Sequence, residues 1–143
     1  MASIRDLLRN RTIHYIQPHQ TVLEASKYMV ESNIGAAPVL DGTKLVGIFS
    51  ERDIMSKVVT QGRDPKMTVI AEVMSTTLRT LPPEATCEEA MLMMQSHGVR
   101  HLPVCEGSIL VGFLSLRDLL RHTMEEKVGE ADMMRAYIQT SVS

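Results

Sequence analysis

Apolar residues recur along this chain in short bursts that alternate between helical and strand spacing. Val22, Ala25, Met29 and Val30 share one face of a 3.6-residue period. Thr21-x-x-Glu24 at their head is a capping-box sequence, so a helix opens at Thr21 and stops near Asn33–Gly35. Pro38–Leu40 and Lys44–Phe49 are short apolar runs on either side of Asp41-Gly42, a dipeptide suited to a hairpin turn. Ser50 begins a second helix reaching to about Thr60. Upstream, Ile13–Ile16 reads as a short strand ending before Pro18, and Ile4–Leu8 as a short helix. The predicted order is strand, helix, strand, strand, helix.

The same order then returns. Leu78–Leu81 is the second early strand, Thr86-x-x-Glu89 caps a helix over Cys87–His97, and Leu102–Cys105 and Ile109–Leu114 form a hairpin around Glu106-Gly107-Ser108. Ser115 opens the last helix, and Ile70–Met74 is a short helix matching Ile4–Leu8. At a fixed offset of 65 residues, Thr12–Ile54 aligns with Thr77–Leu119 with 15 of 43 positions identical, where chance gives about two or three. Gly47-Ile48-Phe49-Ser50-Glu51-Arg52-Asp53 recurs as Gly112-Phe113-Leu114-Ser115-Leu116-Arg117-Asp118. Units this small cannot each bury a core alone, so their two sheets are expected to pack together. A tandem duplication of this kind gives a pseudo-twofold body with two equivalent clefts. The expected units are a first repeat over 1–60, a linker over 61–68, a second repeat over 69–125 and a helical tail over 126–143.

Composition narrows the function. The 44% apolar fraction supports a core, but aromatic residues make up only 3% and Trp is absent, so Met, Leu, Val and Ile must fill it. Fifteen basic against 17 acidic residues, with no basic run or aromatic platform, give nucleic acid no footprint. No apolar run approaches membrane-spanning length and no signal-peptide pattern opens the chain, so the expected compartment is the cytoplasm, with no membrane role. Cys87 and Cys105 have no disulfide-framework spacing and are expected to be reduced. His97 and His101 are four apart, but Gly98 and Pro103 break any helix that would align them as metal ligands. No Ser-His-Asp order, Cys-His pair or carboxylate dyad stands out. No catalytic residue, no metal site and no enzymatic activity are expected.

The candidate chemistry lies in the repeated Gly-h-h-Ser-x-x-Asp, where h is apolar. Ser50-x-x-Asp53 and Ser115-x-x-Asp118 are capping boxes in form, and a cap needs no ligand. Two features point further. These boxes carry Asp where the first helices carry Glu, and a glycine three residues before each serine leaves room for close approach to the strand end. A helix N-terminus also offers free N–H groups to an anion. Asp53 and Asp118 are suited to accept the hydroxyls of a ribose, with Ser50, Ser115, Arg52 and Arg117 toward a phosphate.

On these residues the chain resembles a tandem pair of cystathionine β-synthase (CBS) domains, the Bateman module, of the small stand-alone type. The resemblance covers about residues 1–125, and its elements occur twice and in order. It implies an α+β fold of two β-α-β-β-α repeats packed sheet to sheet with pseudo-twofold symmetry. It also implies a regulatory ligand containing adenosine: AMP, ADP, ATP, NAD(H) or S-adenosylmethionine. Carried over residue by residue, it places Thr12, His14, Ala36, Ala37, Pro38, Ser50, Arg52 and Asp53 in a first cleft. The second cleft takes Thr77, Arg79, Arg100, His101, Leu102, Pro103, Ser115, Arg117 and Asp118. Arg100 and His101 stand where the first repeat has Gly35 and Ala36, which should make the second cleft more basic and more crowded.

The expected protein is a non-enzymatic sensor, a homodimer, acting in trans on a protein partner that the sequence does not name. The alternative is a ligand-free interaction or assembly module whose paired aspartates only cap helices. Beyond Asp118, an apolar stripe of Leu119, Leu120, Thr123, Val128, Ala131, Met134 and Ile138 suits either contact with a second subunit or a helix folded back on its own domain.

Overall fold

A computed structural model describes residues 3–126 together with Arg135 and Ile138. The first repeat contains α1 (Ile4–Leu8), α2 (Val22–Ser32), β1 (Ala36–Asp41), β2 (Lys44–Ser50) and α3 (Glu51–Asp53, continued as a π-helix over Ile54–Val59). The second contains α4 (Ile70–Val73), α5 (Cys87–His97), β3 (His101–Glu106), β4 (Ile109–Ser115) and a last helix, α6, over 116–126. Most of the proposed tail lies outside the described residues.

The local signals act as their chemistry requires. Thr21 Oγ1 accepts from the Glu24 amide at 3.1 Å while Glu24 Oε1 accepts from the Thr21 amide at 3.3 Å, closing the box on α2. Thr86 caps α5 one way only, accepting from the Glu89 amide at 3.1 Å. Asn33 and Gly98, at matching positions, end α2 and α5 in the left-handed conformation with φ of 55° and 63°. β1 and β2 form one hairpin, β3 and β4 the other, and each carries a register shift at the same repeat position, Val39/Leu40 and Val104/Cys105. The sheet order is β1-β2-β4-β3, the hairpins being joined at the single antiparallel pair Lys44↔Ile109.

The predicted strands Ile13–Ile16 and Leu78–Leu81 do not form. Each shrinks to one parallel bridge, Ile16↔Val39 and Leu81↔Val104. The reason is that these stretches have to cross from one repeat to the other. Ile13 and Leu78 pack on a central cluster of Leu40, Leu45, Cys105 and Leu110, where the two repeats meet.

That crossing defines the architecture. Ile4 of α1 is buried among Leu81, Ala85, Ala90, Leu102 and Leu114 of the second repeat, whereas Ile70 and Val73 of α4 are buried among Ile16, Val22, Val39 and Phe49 of the first. The short opening helices are thus exchanged between repeats. Their first N–H groups, which have no partner inside the helix, are met by the host repeat. Ile4 and Arg5 donate to the carbonyls of Ala85 and Pro83 at 2.9 Å each, and Ile70 and Ala71 to those of Gln20 and Pro18 at 2.8 and 3.0 Å. Arg5 adds ion pairs to Glu84 and Glu106 at 2.8 and 2.6 Å, all half-exposed and worth little individually. The linker is bonded down as well, since the carbonyls of Thr68 and Pro65 accept from Val22 and Leu23 at the start of α2.

The exchange also explains the repeated glycines. A Cβ on Gly112 would run into the Leu8 side chain of α1, and one on Gly47 into Met74 and the Ser75 carbonyl just past α4. At each glycine the close approach is made by the exchanged segment.

Candidate functional site

Ser50 and Ser115 end their strands and open helices, and in both cases the predicted box is closed. Asp53 Oδ2 accepts from the Ser50 amide at 2.9 Å and its hydroxyl at 3.1 Å. Asp118 Oδ2 accepts from the Ser115 amide at 3.1 Å, and the Asp118 amide donates to Ser115 Oγ at 3.1 Å. Capping therefore occupies one carboxylate oxygen of each aspartate. The other oxygen faces a cation, and here the repeats part. Asp53 Oδ1 meets Lys57, one turn along its own helix, at 3.1 Å. Asp118 Oδ1 meets Arg11, which arrives from the other repeat, at 2.9 Å.

Asp118 stands at a cavity of about 1280 Å³ between the repeats. This exceeds the roughly 300–1,000 Å³ usual for small-molecule sites, so volume sets no tight limit on the ligand. Ser115, Arg117 and Asp118 come from the end of β4 and the start of α6, and Arg100 and His101 from the start of β3. Facing them across the cavity are Thr12, His14 and Ala36 of the first repeat.

This grouping corrects the expected one. Thr12, His14 and Ala36 were paired with Asp53, yet they line the cavity of Asp118. For Thr12 and His14 the cause is the exchange of α1, which carries the chain after it onto the second repeat; Ala36 reaches the cavity from the start of β1. By the same exchange Ser75, two residues before Thr77, bridges Ile48 of β2 in the first repeat. Ser50, Arg52, Asp53, Thr77 and Arg79 are not among the residues lining the Asp118 cavity. Ala37, Pro38, Leu102 and Pro103 do not line it either: Ala37 and Leu102 are core residues, and the Pro38 and Pro103 carbonyls accept from Ile16 and Leu81 at 3.1 and 3.0 Å.

The electrostatics are uneven. Burial alone would raise the Asp118 pKa, but hydrogen bonds from Arg11, the Ser115 hydroxyl and the Ser115 amide outweigh it, and the net shift is downward. His101 lies flat against Phe113, ring centroids 5.4 Å apart and 10° from parallel. Burial lowers its pKa against the raising effect of Asp118 and Glu51, with Arg100 lowering it further. A neutral imidazole is the favoured form, so His101 contributes a flat ring and hydrogen-bonding atoms to the cleft, not the added positive charge that the sequence suggested. The positive charge comes from arginines. Arg100, Arg117 and Arg121 line the cavity, are exposed, and form no ion pair among the described residues. His14 Nδ1 is bonded to the Tyr28 hydroxyl at 3.0 Å.

Arg11, Glu51, Phe113 and Arg121 are cavity residues absent from the expected set. Arg121 could have been found one turn beyond Asp118 on the helix. Arg11 and Glu51 could not, because they reach the cavity only through contact between repeats. Among the described residues no group of three or more His, Cys, Asp or Glu is placed to hold a metal, and no helix is long and apolar enough to cross a membrane.

Comparison with known proteins agrees with this duplicated fold. The CBS domain family matches the chain twice, over residues 3–60 and 70–125. The CBS domain-containing protein YhcV of Bacillus subtilis (strain 168) is 36% identical over 132 residues, covering 92% of this chain and 93% of that protein. The crystal structure of a CBS-domain protein from Burkholderia ambifaria MC40-6 superposes with a TM-score of 0.81 at 35% identity, covering 87% of this chain and 95% of that one. CBSX2, solved in complex with AMP, has a TM-score of 0.76 over 89% of this chain and 99% of its own, but at 22% identity the likeness is one of fold alone.

Proposed function

The chain belongs to the CBS-domain family, and from that premise we propose that it is a sensor of adenosine-containing ligands. AMP, ADP, ATP or NAD(H) would bind between the repeats and alter the chain's action on a protein partner in trans. The observation that carries this reading is Asp118. One oxygen is used by the cap, and the other, paired with a partly exposed arginine, keeps acceptor capacity for a ribose hydroxyl beside the cavity. The flat face of His101 on Phe113 suits a base, and the exposed arginines suit phosphate. A CBS pair of this fold in complex with AMP lends support at the level of the fold.

Mass spectrometry of the small molecules released by denaturing freshly purified protein tests the reading, followed by calorimetry with AMP, ATP, NAD, NADH and GMP. Release or tight binding of an adenine ligand is expected. Tightest binding by GMP would overturn the preference for adenine, and no binding by any of them would overturn the sensor.

A second reading has its own observation. Both boxes are closed and both second oxygens already meet cations, so every carboxylate oxygen has a partner without a ligand, as a pure assembly module would require. Such a module would bind nothing in calorimetry and would still oligomerise. Homodimerisation belongs to both readings. Met55 and Val59 on the first repeat's last helix and Leu120 and Met124 on the second's are exposed at matching positions, two equivalent apolar patches that a twofold partner can cover. Light scattering showing a monomer at micromolar concentration would remove the dimer.

A further inference from the structure

We propose that the repeated Ser-x-x-Asp has parted into two roles: Asp53 holds Lys57 as a clasp on the end of α4, and the ligand is taken by the Asp118 cleft alone, one per chain. The inference rests on the adenosine reading above for the nature of the ligand. Its own basis is the contact that Lys57 makes beyond Asp53.

Lys57 Nζ lies 3.1 Å from Asp53 Oδ1 and donates to the Val73 carbonyl at 3.0 Å. Val73 is the last residue of α4, and a carbonyl at a helix end has no partner inside its own helix. A lysine ammonium is one of the groups that meets such a carbonyl. Asp53 Oδ2 meanwhile closes the cap at Ser50. One series of contacts therefore runs from the cap of α3 through Asp53 and Lys57 to α4, the exchanged helix buried in the first repeat.

The second repeat has no such series. The residue 65 places after Lys57 is His122, which pairs with Glu126 at 2.9 Å. The backbone differs as well: the first helix widens into a π-helix over Ile54–Val59, whereas the second stays α-helical over 116–126. A π turn holds more residues than an α turn, so positions 57 and 122 are not equivalently placed around their helices. The end of α1 is also met differently, the Leu8 carbonyl accepting from the Arg11 amide at 3.2 Å. The Arg11 guanidinium has Asp118 as its one ion-pair partner among the described residues.

The two aspartates therefore differ in what a ligand would disturb. A hydroxyl that took Asp53 Oδ1 from Lys57 would also uncover the Val73 carbonyl and loosen the exchanged helix, and an unmade hydrogen bond opposes binding. At Asp118 the capped carboxylate stands beside the cavity, and no helix end depends on the cation it meets.

The test titrates the full chain with AMP, ATP and NAD in turn by calorimetry and reads the number of sites. The parent is expected to bind the tightest of them at one site per chain. Asp118→Asn should weaken that site by about ten- to a hundredfold and leave no other behind it; the stoichiometry of the parent carries the test if this variant does not fold. Hydrogen exchange reads the clasp at the Met74 amide, which donates to the Ile70 carbonyl at 2.8 Å. Lys57→Met should speed that exchange by about fivefold, the scale of one ordinary hydrogen bond. Asp53→Asn should speed it by about twofold, the scale of a charged pair within one helix, and should add nothing in the Lys57→Met background, because it acts through Lys57. Two sites per chain in the parent, or one site left intact in Asp118→Asn, overturns the single cleft while the adenosine reading stands. Unchanged Met74 exchange in Lys57→Met, or a further rise when Asp53→Asn is added, overturns the clasp. If the parent binds none of the three ligands, the adenosine reading itself has failed and the single cleft with it.

Discussion

Ile4 is fully buried, and its buried neighbours all belong to the second repeat. An Ile4→Ala change should therefore damage the half of the molecule to which Ile4 does not belong by sequence. The substitution removes three carbons from a site with no solvent access. At about 0.8 kcal/mol per buried methylene the transfer loss alone is about 2.4 kcal/mol, and the cavity left behind brings large-to-small changes of this kind into the range of about 2–5 kcal/mol. For a chain of this size, 1 kcal/mol corresponds to roughly 3–4 °C in melting temperature, so a drop of roughly 6–20 °C is expected by circular dichroism. Hydrogen exchange adds the location. Amides of α5, β3 and β4 should lose protection first, and those of α2, β1 and β2 should hold. Ile70→Ala, its counterpart on α4, should reverse the pattern. Ile4→Ala should also weaken ligand binding, because the segment carrying Arg11 and Thr12 is anchored by α1. Loss of protection confined to α2, β1 and β2 in Ile4→Ala would refute the exchanged arrangement, as would a melting temperature unchanged within about 1 °C.

Asp118→Asn should cost about 1–2 kcal/mol in urea denaturation, since the carboxylate is mostly buried and holds a charged hydrogen bond to Arg11. Asp53→Asn should cost less, because its cation is a same-helix neighbour of the kind worth about 0.3–0.5 kcal/mol; equal losses would show that the cross-repeat pair adds nothing. Gly112→Ala should destabilise by about 1–3 kcal/mol through overlap with Leu8, and adding Leu8→Ala should recover part of that loss. Failure of Leu8→Ala to rescue would place the strain elsewhere. Stability should decline in two acid steps. His101 has a lowered pKa, so below its ordinary value of 6.5 the unfolded chain takes up the proton before the folded one, and stability falls toward the lowered folded value. Asp118 is lowered too, so its contribution is complete above its ordinary value of 3.8 and is lost as pH falls through the folded value. His101→Asn should remove the upper step only, and an unchanged profile would assign that step to another group.

The helices and hairpins were legible because their signals are local. Thr21-x-x-Glu24, the Gly42 and Gly107 turns and the apolar spacing of α2 need only a few neighbouring residues, and the duplication stated each of them twice. The early strands were misread for the opposite reason. Ile13–Ile16 and Leu78–Leu81 have strand composition, but their conformation is decided by the exchange of α1 and α4, a contact between residues some 80 apart such as Ile4 and Ala85. The same long-range event brings Thr12 and His14 to the cavity of Asp118. It also accounts for the otherwise puzzling identity of Pro18 and Pro83. Their carbonyls receive the first turn of the visiting helix.

The choice between cap and ligand group at Ser-x-x-Asp could not be made from sequence because both roles call for the same residues. Atomic positions show that the roles are compatible. A carboxylate has two oxygens, and the cap takes one, which fixes the direction in which the other points. Capping thus prepares the aspartate: the Ser115 amide fixes the Asp118 carboxylate at the cavity, in place of a side chain that would have to be ordered on binding. Asp in place of Glu at the third helical position fits the same logic. Its shorter side chain closes the box with the carboxylate close to the strand end, which at Asp118 is beside the cavity, where Glu24 and Glu89 lie at exposed helix starts. What then separates the two repeats is not the aspartate, which they share, but the cation that guards its second oxygen. Lys57 lies one turn along the helix that bears Asp53, whereas Arg11 reaches Asp118 from the exchanged segment that follows α1, so the Asp118 pair ties that segment to α6. A ligand that binds at the Asp118 cleft would meet that tie directly, and a signal to a partner would originate there.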